Sequence, residues 1–525
     1  MGQWYSDIFL ETFKMDLGSA CFIALLLSAV LLLLLLVHVV YRRFTILQRY
    51  GIPGPTPCPL VGIMIQFLRS KTGFIEIDQE LFKKYGRVNG YYFGRAMNIN
   101  VTDVDILKHV LVKDFSNFTN RTLGDGFAGN PSIVLNGLFF IEGPDWKRIR
   151  NIMTPTFSGG KLKQMFSELE RCANTLAENF LKRADEGKPV PVKDLFGAFT
   201  MDAIACTAFG IQVNSQNEPD DPFVRHVVPI FIPRNIFMRL PFLLAAIIPG
   251  LSILLRVFKI ATFPKETCDF FSSMGQSLIE DRKKNPTRKT DFLQLLLNAE
   301  LEENYYDEQK EAKESTKRLT TEEINSQAFI FFIAGYETTA SLLRYAAYEL
   351  ALHPEIDQKL VQEIREQVGE SELTHDKLSE LKYMDQFVNE TLRFYPPFAR
   401  FNRRVANTTT YGPYTFPAGA TVNVNAYQIH HDPEYYEDPD VFDPDRFAPE
   451  RKSTTNPITF LPFGCGPRNC IGMRLALVEA KIALVKVLQK VQFVRCPETV
   501  VPLKLKILGL LVPNDPVLVR VERRQ

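Results

Sequence analysis

The sequence predicts a mainly α-helical fold with a small β portion, preceded by one N-terminal transmembrane helix. Three features of the 525 residues support this prediction. Residues 20–40 are almost wholly apolar, residues 160–300 and 320–395 are mostly helical in pattern, and short strand-like runs broken by prolines follow residue 411. Helices repeat apolar residues about every 3.6 positions, whereas half-buried strands alternate them. Helices are therefore expected to form most of the body.

Composition and charge narrow the possible classes of function. Apolar residues make up 46% and charged residues 23%, as in ordinary globular proteins, which excludes a wholly disordered chain. The net charge of +1 gives no overall field that would attract nucleic acid. The 8 cysteines are scattered, so they are read as reduced thiols rather than a disulfide scaffold. No linker after residue 60 enforces a division, so one domain over 60–525 is allowed beside the three or four that length suggests.

The apolar run at 20–40 is long enough for the ~20 residues that a membrane-spanning helix needs. Acidic residues precede it and basic residues follow it: Asp7, Glu11 and Asp16, then Arg42, Arg43 and Arg49. The positive-inside rule then places 1–19 in the lumen and the rest of the chain in the cytosol. The alternative is a cleaved signal peptide, but its core is shorter and follows positive charge. Residues 41–59 form a basic, Pro-rich linker that is expected to be stiff.

A long helix is predicted from Thr320 to Leu352. Thr320 and Glu323 fit a capping box at its start, and His353-Pro354 ends it. Shorter features are a helix over 472–490 and a β-hairpin over 503–521. The apolar run 241–255 is short for a membrane span and is predicted to be interfacial or re-entrant rather than a buried core helix.

The segment 463–472, Phe-Gly-Cys-Gly-Pro-Arg-Asn-Cys-Ile-Gly, carries the most chemistry. Cys470 precedes a predicted helix, whose first turn offers unpaired N–H groups and the positive end of a dipole, and both favour a thiolate. Gly466 and Gly472 let the backbone approach a flat partner closely. Arg468 suits an anionic group on that partner, and the phenylalanine that opens the segment can shield the sulfur from water.

Two other interpretations of this segment are a Gly-rich turn around a buried free cysteine and a zinc site. Cys465 and Cys470 are five positions apart rather than three, and no further ligands follow at zinc spacing. The segment matches F-x-x-G-x-R-x-C-x-G, and on these residues the chain resembles the cytochrome P450 family. The resemblance implies that Cys470 binds the iron of haem b as a thiolate, with Phe463 and Arg468 beside the haem.

A second motif concerns three residues of the C-terminal half. Glu390 and Arg393 share one helix face and, alone, would be read as a surface ion pair of little energetic value. Beside the cysteine motif they resemble the family's E-x-x-R pair, and Arg446 matches the third member of that buried network. The implied role is a structural clamp behind the haem.

A third motif lies earlier in the chain. Trp146 and Arg150 resemble the family's W-x-x-x-R helix and are implied to bind a haem propionate through the indole N–H and the guanidinium. A salt-bridged surface helix is the alternative. Arg121 and Arg403 stand where relatives place further propionate partners.

In the long helix, residues 334–339 match A-G-x-E-T-T. Gly335 removes side-chain bulk, and Thr338 can bond to a carbonyl one turn earlier. The resemblance implies that Thr338 relays protons and that Glu337 replenishes them; the alternative is a Thr-rich core helix. The residues expected to line an apolar substrate pocket are Phe329, Phe332, Ile333, Ala334, Thr338, Phe398, Leu510 and Leu511.

The likeness covers most of residues 50–520 and is strongest to the third family of animal microsomal cytochromes P450, the drug- and steroid-oxidising group. It implies a haem-thiolate domain over 60–525 in the endoplasmic reticulum membrane. The implied reaction is the NADPH- and O2-dependent hydroxylation of lipophilic molecules such as steroids and xenobiotics. Electrons would come from NADPH–cytochrome P450 reductase, with cytochrome b5 as a second partner. The loop 122–142 is longer than usual. A haem-thiolate isomerase of the thromboxane-synthase type and a non-catalytic haem- or lipid-binding protein are the alternatives.

Overall fold

The computed structural model describes residues 22–31, 42–218, 220–231, 236–285, 291–298, 319–369, 371–452 and 456–524. The predicted lumenal segment 1–19 lies outside the described residues. The predicted transmembrane stretch 20–40 is described only at 22–31, which is helical. Within the described residues, no helix combines the length and the apolar character that crossing a membrane requires.

Helices dominate the described chain, as the sequence predicts. In chain order they are α1 (Ile46–Arg49), α2 (Met64–Arg69), α3 (Phe74–Tyr85), α4 (Val104–Lys108), α5 (Ser132–Leu135), α6 (Gly143–Met153), α7 (Gly159–Glu186), α8 (Val192–Ile204), α9 (Pro222–Phe231), α10 (Ile236–Ile247), α11 (Leu251–Val257), α12 (Lys265–Lys284), α13 (Thr321–Leu352), α14 (Pro354–Gln367), α15 (His375–Glu380), α16 (Lys382–Phe394), α17 (Ala426–His430), α18 (Pro449–Lys452) and α19 (Met473–Leu488). Residues 292–298 are also helical.

The strands are short and form small sheets. They are β1 (Val88–Phe93), β2 (Ala96–Val101), β3 (Val190–Pro191), β4 (Phe401–Arg404), β5 (Thr409–Tyr411), β6 (Tyr414–Phe416), β7 (Thr421–Val424), β8 (Val491–Val494), β9 (Leu505–Ile507), β10 (Leu511–Pro513) and β11 (Leu518–Arg523). The largest sheet has the order β1-β2-β7-β4, in which only β2 and β7 are parallel. Further sheets are β10-β9, β3-β11-β8 and β5-β6.

The long helix α13 is the structural centre of the fold. The Thr320 hydroxyl accepts from the Glu323 N–H at 3.1 Å, and the Glu323 carboxylate accepts from the Thr320 N–H at 2.8 Å. This confirms the predicted capping box, in which two unpaired N–H groups of the helix end are satisfied. Most of the 32 residues are buried, since α8, α16 and α19 pack around the helix and share its apolar core.

The C-terminal tail is only in part the predicted hairpin. β9 and β10 pair antiparallel as expected. β11, however, leaves the hairpin and pairs with β8 and β3 instead. Pro513 and Pro516 flank the turn before β11, and because proline lacks an N–H it cannot continue a ladder at that point. The predicted hairpin over 503–521 therefore ends near residue 513.

The apolar run 241–255 forms the second part of α10 and most of α11. Pro249 and Gly250 separate the two helices, and Gly250 takes a left-handed conformation with φ +80°. Large apolar side chains remain exposed on and after these helices: Leu240, Leu244, Ile248, Ile253, Leu254, Val257 and Phe258. This agrees with an interfacial segment and not with a buried core helix.

Candidate active site

A cavity of about 230 Å³ lies between the cysteine loop, residues 463–472, and one face of α13. Its walls are mainly apolar, and a group of arginines forms the polar part of them. It is bordered by Arg121, Leu138, Phe139, Trp146, Arg150, Phe157, Ile204, Ile330, Phe331, Ala334, Gly335, Thr338, Thr339, Leu342, Pro397, Phe398, Phe401, Arg403, Leu461, Phe463, Arg468, Cys470, Gly472, Leu475, Ala476 and Glu479, among others.

The cysteine loop is held by its own backbone. The Cys470 N–H donates to the Phe463 carbonyl at 2.8 Å, so the two ends of the loop are tied together. Gly466 has φ +75°, and a Cβ there would lie 1.9 Å from the Leu111 carbonyl oxygen, so only glycine fits. At Gly472, by contrast, a Cβ would meet open space. The backbone at Gly472 is therefore the part that leaves room for a flat partner.

The accessible surface of Cys470 faces the cavity inside the protein, so its sulfur is open to a ligand there although protein atoms surround it. Burial raises the pKa of this thiol above its ordinary value, while the Gly472 N–H, Arg150 and Arg121 lower it. Burial is the largest of these effects. The Gly472 N–H at the helix start and the nearby arginines thus favour the thiolate, while burial opposes it.

Four arginines converge at the cavity wall. Arg150 donates to the backbone and side-chain oxygens of Asn469, both at 2.9 Å. Arg468 donates to the carbonyls of Thr119 and Ile141, both at 2.7 Å. Among the described residues, the Nε atoms of Arg121 and Arg403 are buried without a hydrogen-bond partner.

The electrostatics of this arginine cluster favour an anionic ligand. Burial lowers the pKa of Arg121 to about 10 and that of Arg468 to about 9. The pKa of Arg403 falls well below its ordinary value, first because of burial and then because of repulsion from Arg121 and Arg468. Crowded, buried guanidinium groups are costly unless an anion pairs with them. A ligand with carboxylate groups would relieve this cost.

The A-G-x-E-T-T segment lies on the cavity side of α13. The Thr338 hydroxyl donates to the Ala334 carbonyl at 2.6 Å, as predicted. A Cβ on Gly335 would lie 2.7 Å from Cδ1 of Ile204, so this glycine also permits close packing of α8 on α13. Glu337 is buried, and its carboxylate pairs with the Lys193 ammonium at 3.2 Å.

Comparison with known proteins agrees with this geometry. A sequence model of the family Cytochrome P450 matches residues 52–521. The chain belongs to the cytochrome P450 family. It is 40% identical to cytochrome P450 3A9 of Rattus norvegicus over 503 residues, 95% of this chain and 96% of that protein. It is 39% identical to cytochrome P450 3A5 of Homo sapiens over 505 residues, again 95% and 96% of the two chains. It is therefore a cytochrome P450 monooxygenase.

Cytochromes P450 hold a haem iron through a cysteine thiolate, and the residues at this site fit that group. Cys470 would offer the sulfur, and the positive charge of the haem iron would favour its thiolate form. The apolar walls and the space at Gly472 suit a flat ring. The unpaired Nε atoms of Arg121 and Arg403 suit its carboxylates.

The predicted structural network of this P450 lies together but away from the cavity. Arg393 donates two hydrogen bonds of 2.7 Å to the Glu390 carboxylate, and both side chains are fully buried. The Arg446 Nε lies 3.5 Å from the same carboxylate. Arg393 also donates to the carbonyls of His430 and Pro439. The three side chains thus join the end of α16 to the segment 430–446.

His430 was missed by the sequence reading, although it links this network to the cysteine loop. Its Nδ1 bonds with the Arg393 carbonyl at 2.9 Å, and its Nε2 accepts from the Leu461 N–H at 2.9 Å. Burial lowers the pKa of His430 well below its ordinary value. The imidazole is therefore neutral, with the proton on Nδ1. A lone histidine 33 positions before the loop gives no sequence signal of this bridge.

Of the predicted pocket residues, Ala334, Thr338 and Phe398 border the cavity, whereas Phe329, Phe332, Ile333, Leu510 and Leu511 do not. The cavity face of α13 instead runs through Ile330, Phe331, Ala334, Thr338 and Leu342. With 3.6 residues per turn, the remaining positions point elsewhere. Phe329, Phe332 and Ile333 pack in a separate apolar cluster with Phe209 and Phe271.

The loop 122–142 contributes to the cavity through Leu138 and Phe139. Buried Gln327 of α13 holds this loop, since its Oε1 accepts from the Leu138 N–H and its Nε2 donates to the Asn136 carbonyl, both at 2.7 Å. Gln327 and Lys193 are further residues that the sequence reading missed, because their partners are distant in the chain.

Proposed function

We propose that this protein is an NADPH- and O2-dependent haem-thiolate monooxygenase that hydroxylates lipophilic substrates such as steroids and xenobiotics. One observation carries the proposal. A single, mainly apolar cavity is bordered by the Cys470 sulfur, by buried arginines that lack anionic partners, and by the Thr338 turn of α13. Haem bound there supplies the activation of oxygen; the protein supplies binding, orientation and protons.

The chain's own residues would divide three tasks. Arg121, Arg150, Arg403 and Arg468 would bind the haem carboxylates, and their positive charge would fix the haem in one orientation. The aromatic and aliphatic walls would exclude water and bind substrate by burying its apolar surface. Phe398 stacks with Phe139 at 6.0 Å between ring centroids, so these two rings would limit the shape of the bound molecule.

Thr338 and Glu337 would move protons. The Thr338 hydroxyl borders the cavity and donates to the Ala334 carbonyl, so it can accept a proton at its oxygen from a neighbouring group and pass one on. Glu337 is adjacent in sequence, and its Oε2 has no protein partner. The half-exposed Lys193, paired to Glu337, connects this carboxylate to solvent.

We further propose that the enzyme resides in the endoplasmic reticulum membrane with its catalytic domain in the cytosol. The apolar stretch 20–40 would be the single-pass anchor. The exposed apolar side chains of α10 and α11 would rest on the same membrane, and lipophilic substrates would arrive through it. NADPH–cytochrome P450 reductase would supply electrons, and cytochrome b5 would be a second donor. If deletion of 241–255 leaves turnover of lipophilic substrates unchanged, the proposed route is wrong.

The haem ligand is tested by spectroscopy of the purified, haem-loaded protein. Reduction under carbon monoxide is expected to give the red-shifted Soret band of a thiolate complex. Cys470→Ser should abolish that band, whereas Cys465→Ser, a change five positions away in the same loop, should retain it. A folded, haem-loaded wild type without the band would refute the proposed ligation.

The reaction is tested by product profiling with mass spectrometry. The enzyme is combined with reductase, NADPH and a mixed panel of steroids and drugs, and hydroxylated products are expected only when all components are present. Turnover without NADPH would instead indicate an isomerase. Complete absence of products across the panel, with an intact carbon monoxide band, would indicate a non-catalytic binding protein.

A further inference from the structure

A second, smaller void of about 20 Å³ adjoins the main cavity. It lies between α7, the end of α8, α13 and Phe292, which belongs to the helical segment 292–298. Four of its wall residues also border the main cavity, namely Phe157, Ile204, Phe331 and Leu475. The other six are Thr156, Leu162, Met165, Thr207, Ala208 and Phe292. None of these six belongs to a motif that the proposed reaction uses.

The wall of the void is formed mainly by buried residues. Eight of its ten wall residues are buried. The two that are less buried, Phe331 and Leu475, are among those that border the main cavity. The exposed parts of the wall thus face the cavity. A molecule inside the void would therefore exchange most directly with the proposed haem site.

Local backbone and ring geometry explain why the void exists. Thr207 and Ala208 belong to a π-helical turn, Ala205–Phe209, that follows α8. Such a turn is wider than an α-helix and commonly lies at functional sites. On the other side, the rings of Phe157, Phe292 and Phe331 form a triangle with centroid distances of 5.1, 5.3 and 4.5 Å. Rigid rings packed on one another cannot spread to fill the space.

The void offers few polar partners to a water molecule. Its only hydroxyl groups belong to Thr156 and Thr207. The Thr156 hydroxyl donates to the Met153 carbonyl at 2.6 Å, and the Thr207 hydroxyl donates to the Ala203 carbonyl at 2.7 Å. A buried water needs two to four polar partners, and apolar cavities of this kind stay dry and take up small apolar molecules. The site therefore favours a small apolar guest.

We propose that this void is a docking site for dioxygen beside the haem cavity. The inference rests on the proposed O2-dependent function, which requires an apolar diatomic gas at the neighbouring site. A volume of about 20 Å³ exceeds the ~10–15 Å³ that one water-sized molecule needs, yet it is far too small for a steroid or a drug. Phe331 borders both the void and the cavity, so a shift of its ring would alter passage between them.

The first test uses crystals of the haem-loaded enzyme pressurised with krypton, a small apolar atom with strong X-ray scattering. Density is expected among Met165, Ala208 and Phe331. Ala208→Val is the filling variant, because its two added methyl groups project into the void, and it should abolish that density. Thr207→Val keeps the side-chain volume and removes only the hydroxyl, so it should leave krypton binding unchanged.

The second test follows carbon monoxide and dioxygen association with the reduced enzyme after flash photolysis. Ala208→Val should lower the association rate constants of both gases several-fold and should reduce the fraction of ligand that rebinds before escape. Thr207→Val should match the wild type. Met165→Ala, which enlarges the void, should raise the rebinding fraction.

Three outcomes would overturn the inference. These are no krypton density in the wild type, association rates in Ala208→Val equal to those of the wild type, or an ordered water that disappears in Thr207→Val. Failure of the proposed function is distinguishable, because it appears as a missing thiolate band under carbon monoxide. Krypton occupancy does not depend on that band.

Discussion

The Lys193 ammonium lies 3.2 Å from the Glu337 carboxylate and joins the start of α8 to the A-G-x-E-T-T turn of α13. The two side chains differ sharply in exposure, with 42% of the lysine side chain exposed and 3% of the glutamate. A buried carboxylate that pairs with a solvent-facing cation is connected to bulk water along that cation. The pair thus offers an entry point for the proposed proton supply to Thr338.

We predict that Lys193→Met slows proton delivery while haem binding remains intact. Substrate turnover should fall several-fold, and more NADPH should be consumed per product, because oxygen activation then ends in peroxide rather than hydroxylation. The solvent deuterium isotope effect on turnover should rise. Lys193→Arg retains the charge and serves as the control, with near wild-type coupling. Equal coupling in Lys193→Met and the wild type would contradict the prediction.

For Arg403, the predicted change in melting temperature has opposite signs in the haem-free and the haem-loaded protein. Its guanidinium is fully buried, and burial together with Arg121 and Arg468 lowers its pKa well below the ordinary value. Without an anionic partner this charge destabilises the fold. Arg403→Met should therefore raise the melting temperature of the haem-free protein and lower that of the haem-loaded protein, with faster haem loss. A decrease in both forms would show that the arginine is not a carboxylate ligand.

The Glu390–Arg393 pair is predicted to be essential for stability. Arg393→Met leaves a buried carboxylate without its partner, which costs about 3–5 kcal/mol in comparable buried pairs. The free energy of unfolding, measured with urea on the haem-loaded protein, should fall by that order. Arg183 and Glu186 form a matched control, since they are also three positions apart but 48% and 45% exposed. Arg183→Met should change stability by only ~0–1 kcal/mol.

The motifs could be predicted from the sequence because the chemistry of each motif follows from its residue types and their spacing. A cysteine between glycines before a helix, or Glu and Arg one turn apart, can be recognised without coordinates. In the structure Cys470 borders the cavity, and Glu390 pairs with Arg393. The cavity face of α13 could not be predicted. Residues 329–333 are all large and apolar, so the sequence of this turn contains no polar face that sets its orientation. Only the packing of α8 and α12 against the helix decides which ring faces the cavity.

Contacts between residues distant in the sequence could not be predicted either. His430 contacts Leu461, and Gln327 contacts Leu138, across 31 and 189 positions. No local pattern marks either pair. The pairing of β11 with β8 could not be predicted for the same reason, because it depends on where the two segments lie in the fold.

Acid stability provides a prediction from two adjacent histidines, of which His430 is buried and His431 is half-buried. Burial lowers the pKa of His431 from 6.5 to about 4 and that of His430 well below 6.5. The unfolded chain therefore binds protons that the folded chain does not, and stability is lost as the pH falls from about 6.5 towards 4. Asp78 acts in the opposite direction, because its pKa is raised to about 6 and the folded state gains protons there.

The variant His431→Gln isolates the contribution of His431 to the pH dependence of the free energy of unfolding. Between neutral pH and about pH 5 the wild type should lose roughly 1–2 kcal/mol more stability than this variant, given ~1.4 kcal/mol per pH unit and proton. Urea unfolding at the two pH values measures the difference. His375, which is 29% exposed, provides a surface control through His375→Gln. Identical pH dependence in the wild type and His431→Gln would contradict the assignment.

Gln327 leads to a prediction about selectivity rather than chemistry. Its amide holds both Leu138 and Asn136, so Gln327→Leu leaves a buried N–H and a buried carbonyl without partners, each costing about 1–3 kcal/mol. The loop that carries Leu138 and Phe139 should then shift at the cavity wall. The ratio of hydroxylated products from a mixed panel should change, while the carbon monoxide band persists because Cys470 is untouched. Gln362→Leu removes a comparable side-chain bond from an exposed helix face and should alter neither property. A changed band with an unchanged product ratio would mean that Gln327 supports the cysteine loop and not the substrate wall.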